Sequence, residues 1–294
     1  KPIDNEIIDL GFWPGGDRDG NPFVTTEITL NVAERLRQTI LRSYYRDVRR
    51  LKRRFTFDGA QEILARIEKR LYKHVVRSYS KVNFSQKILL EELSAAREII
   101  KTKHDSLFIE ELDDFINKVR IFGFHFASLD IRQDSRVHHK AFVQIVKDLQ
   151  AKGDTTFPEN YLNLTEEDQI KVLSVVKGTI DPAILTDEIS VKTIESIYAL
   201  KTIQKRNGER GANRYIISNN QTALNVMETF AMLNLCGFEN ELPVDVIPLF
   251  ETVEDLQNAE EVMRTLYSNR VYRHHLAKRK NKQTMKLLKI VSLT

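Results

Sequence analysis

Several residue types and motifs that would declare a function at once are scarce or missing. Only one of the 294 residues is cysteine, Cys236 in the apolar stretch "MLNLCGF". A single thiol excludes a disulfide framework and fits a reducing, cytoplasmic setting. No apolar run approaches the ~20 residues that span a bilayer, and the first residues show no signal-peptide pattern. The sequence has no Walker loop, dinucleotide glycine fingerprint, zinc-binding helix motif or nucleophile elbow. ATP, nicotinamide and serine-hydrolase chemistry are therefore disfavoured. Tryptophan occurs once, as Trp13, beside the turn-forming, charged stretch "GGDRDGNP".

What is present is ordinary for a globular protein: 41% hydrophobic and 29% charged residues, with a formal net charge of +4. Basic residues concentrate in "RSYYRDVRRLKRRF" (42–55) and "RHHLAKRKNK" (273–282). The first run continues a helical apolar stripe, so its charges fill the solvent-facing positions. From Glu27 to Val119 the spacing predicts successive helices, one of them carrying Leu30, Ala33, Leu36, Ile40, Tyr44, Val48 and Leu51 on a single face. Helical patterns recur at 135–150, 165–177, 187–206, 221–235 and 253–268.

Three strand-length segments interrupt the helices: "IFGFHFASLDIRQ" (121–133), "RYIIS" (214–218) and "VDVIPLFE" (244–251). Each precedes a helical stretch, which points to parallel βα units in a helix-rich α/β fold. Leu10 to Trp13 is a candidate fourth strand. Alternation puts Phe126, Ser128, Asp130 and Arg132 on one face, and Ile247, Leu249 and Glu251 likewise on one face. Polar groups at the carboxyl ends of parallel strands are where α/β proteins place their sites.

The candidate residues follow from that geometry. Asp17, Asp19 and Asn21 alternate as in a calcium loop, but Gly20 and Ile28 fall at the wrong offsets for an EF-hand. Arg18 lies between two acids that could preorient its guanidinium for phosphate or carboxylate. Arg132 is either an anion-binding group or half of a structural Asp130–Arg132 pair. Glu251 is either an oxygen ligand for magnesium or manganese or an accessory to the capping box that Thr252 and Asp255 form. The pairs His138-His139 and His274-His275 have no metal-ligand spacing and are expected at the surface or in caps.

Taken together and in order, "FWPGGDRDGNP", "SLDIRQDS" and "IPLFETVEDL", with "RYIIS" between the last two, resemble phosphoenolpyruvate carboxylase. The resemblance covers nearly the whole chain, which would make up the middle third of a family member. It implies a helix-rich (β/α)₈ TIM-type barrel, here partial, with one fragment spanning 1–294: a strand-end loop (11–25), a helical insertion (27–119) and βα units (120–294). It also implies the anaplerotic carboxylation of phosphoenolpyruvate with bicarbonate to oxaloacetate and phosphate. Trp13 and Leu249 match residues lining the apolar carbon dioxide pocket. Arg132 matches an arginine that binds the substrate's phosphate, Glu251 matches one of two acidic ligands of Mg2+ or Mn2+, and Arg18 lies in a motif near the substrate.

The chain departs from the family pattern in several places. The His-Pro-Thr-Glu segment, expected ahead of Lys1, is missing. The second metal acid is also missing where the chain reads "MKLLKIVSLT" (285–294), and Thr222-Ala223 stands where many members have Ser-Asp. These departures predict a chain that is inactive alone, and the resemblance implies a parent that is a cytoplasmic homo-oligomer, tetrameric in the family. The alternative is a non-catalytic basic helical protein that binds nucleic acid or an acidic partner.

Overall fold

Ala33, Leu36, Ile40, Tyr44, Val48 and Leu51 are all buried, as a three-to-four-residue spacing requires of one helix face. They belong to α1 (Thr26–Arg54). The computed structural model describes residues 9–21, 23–76, 84–238, 242–280 and 286–287. Its compact units are two. One holds the residues up to Phe12, Leu30–Ser128 and Ile203–Gly211; the other holds Trp13–Thr29, Leu129–Thr202 and the chain from Ala212.

The first unit contains β1 (Gly11–Phe12), α1 from Leu30, α2 (Ala60–Val76), α3 (Gln86–Lys103) and α4 (Ile109–Phe122). Its core joins the apolar faces of these helices through residues such as Leu64, Leu71, Leu93 and Phe115. Tyr44 crosses that core and donates a buried 2.7 Å hydrogen bond to the Gly123 carbonyl. Burial pushes its phenol well above the ordinary range. The basic run at the end of α1 is matched by acids of neighbouring helices and of α1 itself. Arg49 and Lys52 meet Glu68, Arg54 meets Glu111, and Lys118 meets Asp47 beside Arg50. Pairing of this kind is what a solvated helix face presents, and it breaks up the positive stripe that nucleic acid would require.

One sequence expectation needs correction here. Residues 121–127 are not strand: α4 continues to Phe122 and ends at Gly123, whose φ is 49°. A Cβ at Gly123 would sit 2.6 Å from the His125 Nδ1, so both the backbone conformation and the space demand glycine. Phe126, with φ 65°, also lies outside the strand that alternation assigned to it.

The second unit is built on β2 (Ser128–Asp134), β3 (Arg214–Ser218), β4 (Asp245–Phe250) and β5 (Lys286–Leu287), each parallel to the next. Between β2 and β3 lie α5 (Ser135–Ala151), α6 (Glu166–Val175) and most of α7 (Glu188–Asn207). Helix α8 (Ala223–Asn234) follows β3, while α9 (Val253–Ser268) and α10 (Arg270–Lys278) follow β4. Helix α10 hid within a basic run, and β5 within the tail 285–294, whose other residues lie outside the described ones. The result is a helix-rich α/β unit with four parallel strands.

Register divides the sheet's two faces. Asp130 pairs with Arg214, and Arg132 pairs with Ile216, which pairs with Ile247. These residues, with Leu249, occupy one face, where Ile216, Ile247 and Leu249 form an apolar cluster. Leu129, Ile131, Tyr215, Ile217 and Val246 take the other face and are buried.

The stretch from Trp13 to Arg18 lies along β2. The Arg132 N–H donates to the Gly16 carbonyl at 3.0 Å, and the Arg18 N–H donates to the Arg132 carbonyl at 2.9 Å. So close an approach leaves no room at Gly16, where a Cβ would fall 2.0 Å from the Asp130 carbonyl oxygen. Gly16→Ala is expected to force the loop off the strand and lower unfolding stability by about 1–3 kcal/mol, read as a drop in the urea midpoint. A wild-type midpoint would show that the loop does not bear on β2.

Candidate active site

Arg132 is the residue on which the site converges. Its side chain is only 12% exposed. Nη2 donates to Asp19 Oδ2 at 2.7 Å and to Glu251 Oε1 at 2.8 Å, while Nη1 lies 3.5 Å from Asp17 Oδ2. The guanidinium also sits 5.3 Å from the centre of the Trp13 ring, within cation–π range. Trp13 and Glu251, drawn from separated stretches, therefore both meet Arg132. Leu249 stands two residues before Glu251 on the same face, in the apolar cluster.

Each anchor has a local cause. Glu251 directly follows β4, with its second oxygen, Oε2, accepting from the Asn219 N–H at 3.0 Å. Asn219 can offer that N–H because its backbone is left-handed, with φ 50°, a conformation that asparagine tolerates. The capping box on α9 is completed by Thr252 and Asp255. Glu251 contributes only its N–H there, donating to Asp255, so its carboxylate is directed to the site rather than to the helix.

The Asp130–Arg132 pair, the alternative to an anion-binding Arg132, does not form. Asp130 instead accepts from the Trp13 Nε1–H at 2.9 Å and from the Arg214 Nε–H at 2.5 Å. Arg18 also departs from expectation. The acids on either side of it face Arg132, and its own guanidinium turns to Thr26 and Thr29, whose hydroxyls lie 3.4 Å away. Burial lowers its pKa, partly offset by Tyr215 and Glu195. Arg18 thus sits on the helix side of the sheet with Tyr215 and His138, apart from the Arg132 cluster.

His138 is a second correction, because it is fully buried rather than at the surface. One ring nitrogen lies 3.0 Å from the Tyr215 hydroxyl and the other 2.9 Å from that of Thr229. Burial, with a smaller effect of Arg18's charge, pushes its pKa down to about 3. His275 is also buried, and its pKa falls to about 4 for the same principal reason.

One guanidinium among three carboxylates leaves this cluster with a formal charge of −2. Such a site suits a cation, yet among the described residues no three His, Cys, Asp or Glu side chains converge to hold a metal. Both Glu251 oxygens are already engaged. The residues described here therefore do not by themselves fit a divalent ion. Asn219 is the site residue that sequence reasoning passed over, while Asp17 and Asp19 were weighed as a calcium loop and Asp130 as a partner of Arg132 rather than in the roles they take here. Alternation along an extended loop would have found the two acids of the turn, since it sets Asp17 and Asp19 on one side and Arg18 on the other.

The sequence profile of a family described as "Phosphoenolpyruvate carboxylase" matches residues 1–87 and, in an overlapping match, 64–287. Among curated proteins, the phosphoenolpyruvate carboxylase of Nitrosomonas eutropha is 28% identical over 97% of this chain and 35% of its own length. That of Prochlorococcus marinus is 27% identical over 90% of this chain and 32% of its own, and that of Trichormus variabilis 29% over 94% and 32%. The chain spans about a third of the length of these relatives. Among the described residues no helix is long and apolar enough to cross a membrane.

The buried histidine makes stability depend on pH in a definite direction. His138 titrates near 6.5 when unfolded and near 3 when folded, so between those values the unfolded chain binds the extra proton. Its contribution is fully present above about pH 6.5 and is lost as the pH falls towards 3, with His275 adding in the same direction. Urea midpoints measured from pH 7 to pH 4 are expected to fall less steeply in His138→Gln than in the wild type. Identical slopes would show that the ring is not held neutral.

Proposed function

Because this chain belongs to the phosphoenolpyruvate carboxylase family, we propose that it supplies part of a site that carboxylates phosphoenolpyruvate with bicarbonate, giving oxaloacetate and phosphate. The observation that carries this reading is the contact of Trp13 and Glu251 with Arg132 at the strand ends, beside an apolar face that includes Leu249. The open sheet is, on the same reading, a section of a (β/α)₈ barrel. Four parallel strands in chain order, separated by helices and apolar on one face, support that.

The chemistry assigns a task to each side chain. A bicarbonate oxygen attacks the substrate's phosphorus and the bond to the enol oxygen breaks, giving carboxyphosphate and the enolate of pyruvate. Carboxyphosphate then splits to phosphate and carbon dioxide, and the enolate carbon attacks the latter. Arg132 pairs with phosphoryl oxygens and offsets the charge that develops on them. To do so through Nη2 it must exchange a carboxylate partner for the phosphate, whereas its buried Nε has no hydrogen-bond partner and keeps an N–H to offer. Trp13 and Leu249 form apolar walls that hold a neutral gas and keep water from protonating the enolate.

In the family reading Glu251 is a ligand of the divalent metal, a role that needs donors beyond those described. Arg18 supports the turn from behind, its hydroxyl contacts tying the loop to the start of α1. With a net negative cluster and no complete set of metal ligands among the described residues, this chain alone is expected not to turn over. The basic-helix alternative is favoured by no observation, since the α1 run is largely paired with acids.

Trp13, as the chain's single tryptophan, makes the reading testable. Titration of phosphoenolpyruvate in the presence of Mg2+ is expected to give a saturable change in its emission. Arg132→Gln is expected to weaken that response roughly 10-fold or more, the scale of a lost charge-assisted hydrogen bond. No substrate-dependent change in the wild-type chain, or full retention in Arg132→Gln, would overturn the assignment.

A further inference from the structure

We propose that Asp130 is a positioning residue that fixes the indole of Trp13 against Arg132. Its functional meaning rests on the carboxylase reading; its geometry does not. Asp130 is only 2% exposed, and both of its oxygens are engaged. Oδ2 accepts from the Trp13 Nε1–H at 2.9 Å, and Oδ1 from the Arg214 Nε–H at 2.5 Å. Register pairs Asp130 with Arg214, so the second bond crosses directly between neighbouring strands and holds the carboxylate in place.

The torsion that spins an indole about its Cβ–Cγ bond is a broad sp³–sp² rotation, weakly defined by intrinsic preference. The ring N–H is its single polar handle, so whatever accepts from that N–H determines where the ring faces. Asp130 and Arg132 lie two residues apart on β2 and therefore on the same face, about 7 Å apart along the strand. One end of the indole is tethered to Asp130 while its face meets the Arg132 guanidinium at 5.3 Å. The backbone supports the same arrangement, since Gly16 packs on the Asp130 carbonyl and presents the loop to the strand at that level.

Asp130 thus accepts from Arg214 on β3 through one oxygen and, through the other, holds Trp13 at the apolar wall. In the reading above, a ring free to swing would admit water beside the enolate. Asp130 touches no reacting group itself. It acts through Trp13, and a carboxylate serves better than an amide because it can accept from two N–H donors without offering one.

The sole tryptophan allows a direct test on this chain. Asp130→Asn, Arg214→Gln and wild type are compared at a temperature where far-ultraviolet circular dichroism shows all three folded. Asp130→Asn is expected to shift Trp13 emission to longer wavelength, to raise its acrylamide quenching constant about twofold, and to weaken the phosphoenolpyruvate response about 10-fold. Arg214→Gln, which leaves the indole's acceptor in place, is expected to keep emission close to wild type. If Asp130→Asn does not fold, Asp130→Glu, which keeps the charge but displaces the acceptor, is expected to show the same red shift.

Unchanged Trp13 emission in the folded Asp130 variant would overturn the proposal. So would equal changes in the Asp130 and Arg214 variants, which would reduce Asp130 to half of a scaffolding ion pair. Loss of the substrate response in the wild type, with the emission difference intact, would remove the carboxylase reading and leave the positioning of the ring established.

Discussion

Two backbone hydrogen bonds hold this site together: Arg132 N–H to the Gly16 carbonyl and Arg18 N–H to the Arg132 carbonyl. They lay the turn along β2 as though it were a short additional strand, and they are possible because Gly16 has no side chain to strike the Asp130 carbonyl. That contact places Asp19 and the Trp13 ring within reach of Arg132. Without it, a turn rich in glycine and charge would have no defined position, and the indole would have neither a tether nor a cation to face.

Electrostatics then sets what the site can do. Arg132 is surrounded by Asp17, Asp19 and Glu251, an arrangement that holds the guanidinium firmly at the cost of occupying its Nη2. Removing Arg132 would leave three carboxylates facing one another in a partly desolvated setting, where like charges repel more strongly than in water. The same excess of negative charge explains why a phosphate ester cannot simply settle there. It must compete for Arg132, and further positive charge must come from beyond the described residues. On the opposite face of the sheet, Arg18 is a half-buried cation with hydroxyl contacts, stabilising the turn from the helix side.

Much of this was legible from sequence, for identifiable reasons. The period-two alternation of "SLDIRQ" and "VIPLFE" put Arg132, Leu249 and Glu251 on their faces, because strand parity is geometric and survives ignorance of the packing. Helices α1 to α3 showed through their apolar stripes for the same reason. The run 121–127 misled because its apolar alternation imitates a strand, while Gly123 and Phe126 adopt left-handed conformations that a composition pattern does not reveal. Helix α10 was masked by basic residues flanking the buried Tyr272 and His275. The orientation of Arg18 and the burial of His138 were not legible because neighbours in sequence are not neighbours in space. Arg18 lies between two acids yet meets neither, and the burial of His138 depends on Tyr215 and Thr229, which are 77 and 91 residues away.

The central claim is that the turn, the end of β2 and the end of β4 form a single energetically coupled site. A double-mutant cycle measures this most directly, with unfolding free energies for wild type, Arg132→Gln, Glu251→Gln and the double variant. The two side chains are in direct contact, so the account predicts a coupling of about 0.5–3 kcal/mol, with the double variant less destabilised than the sum of the singles. Strict additivity would mean that the two residues do not meet in solution, and the site described here would not exist.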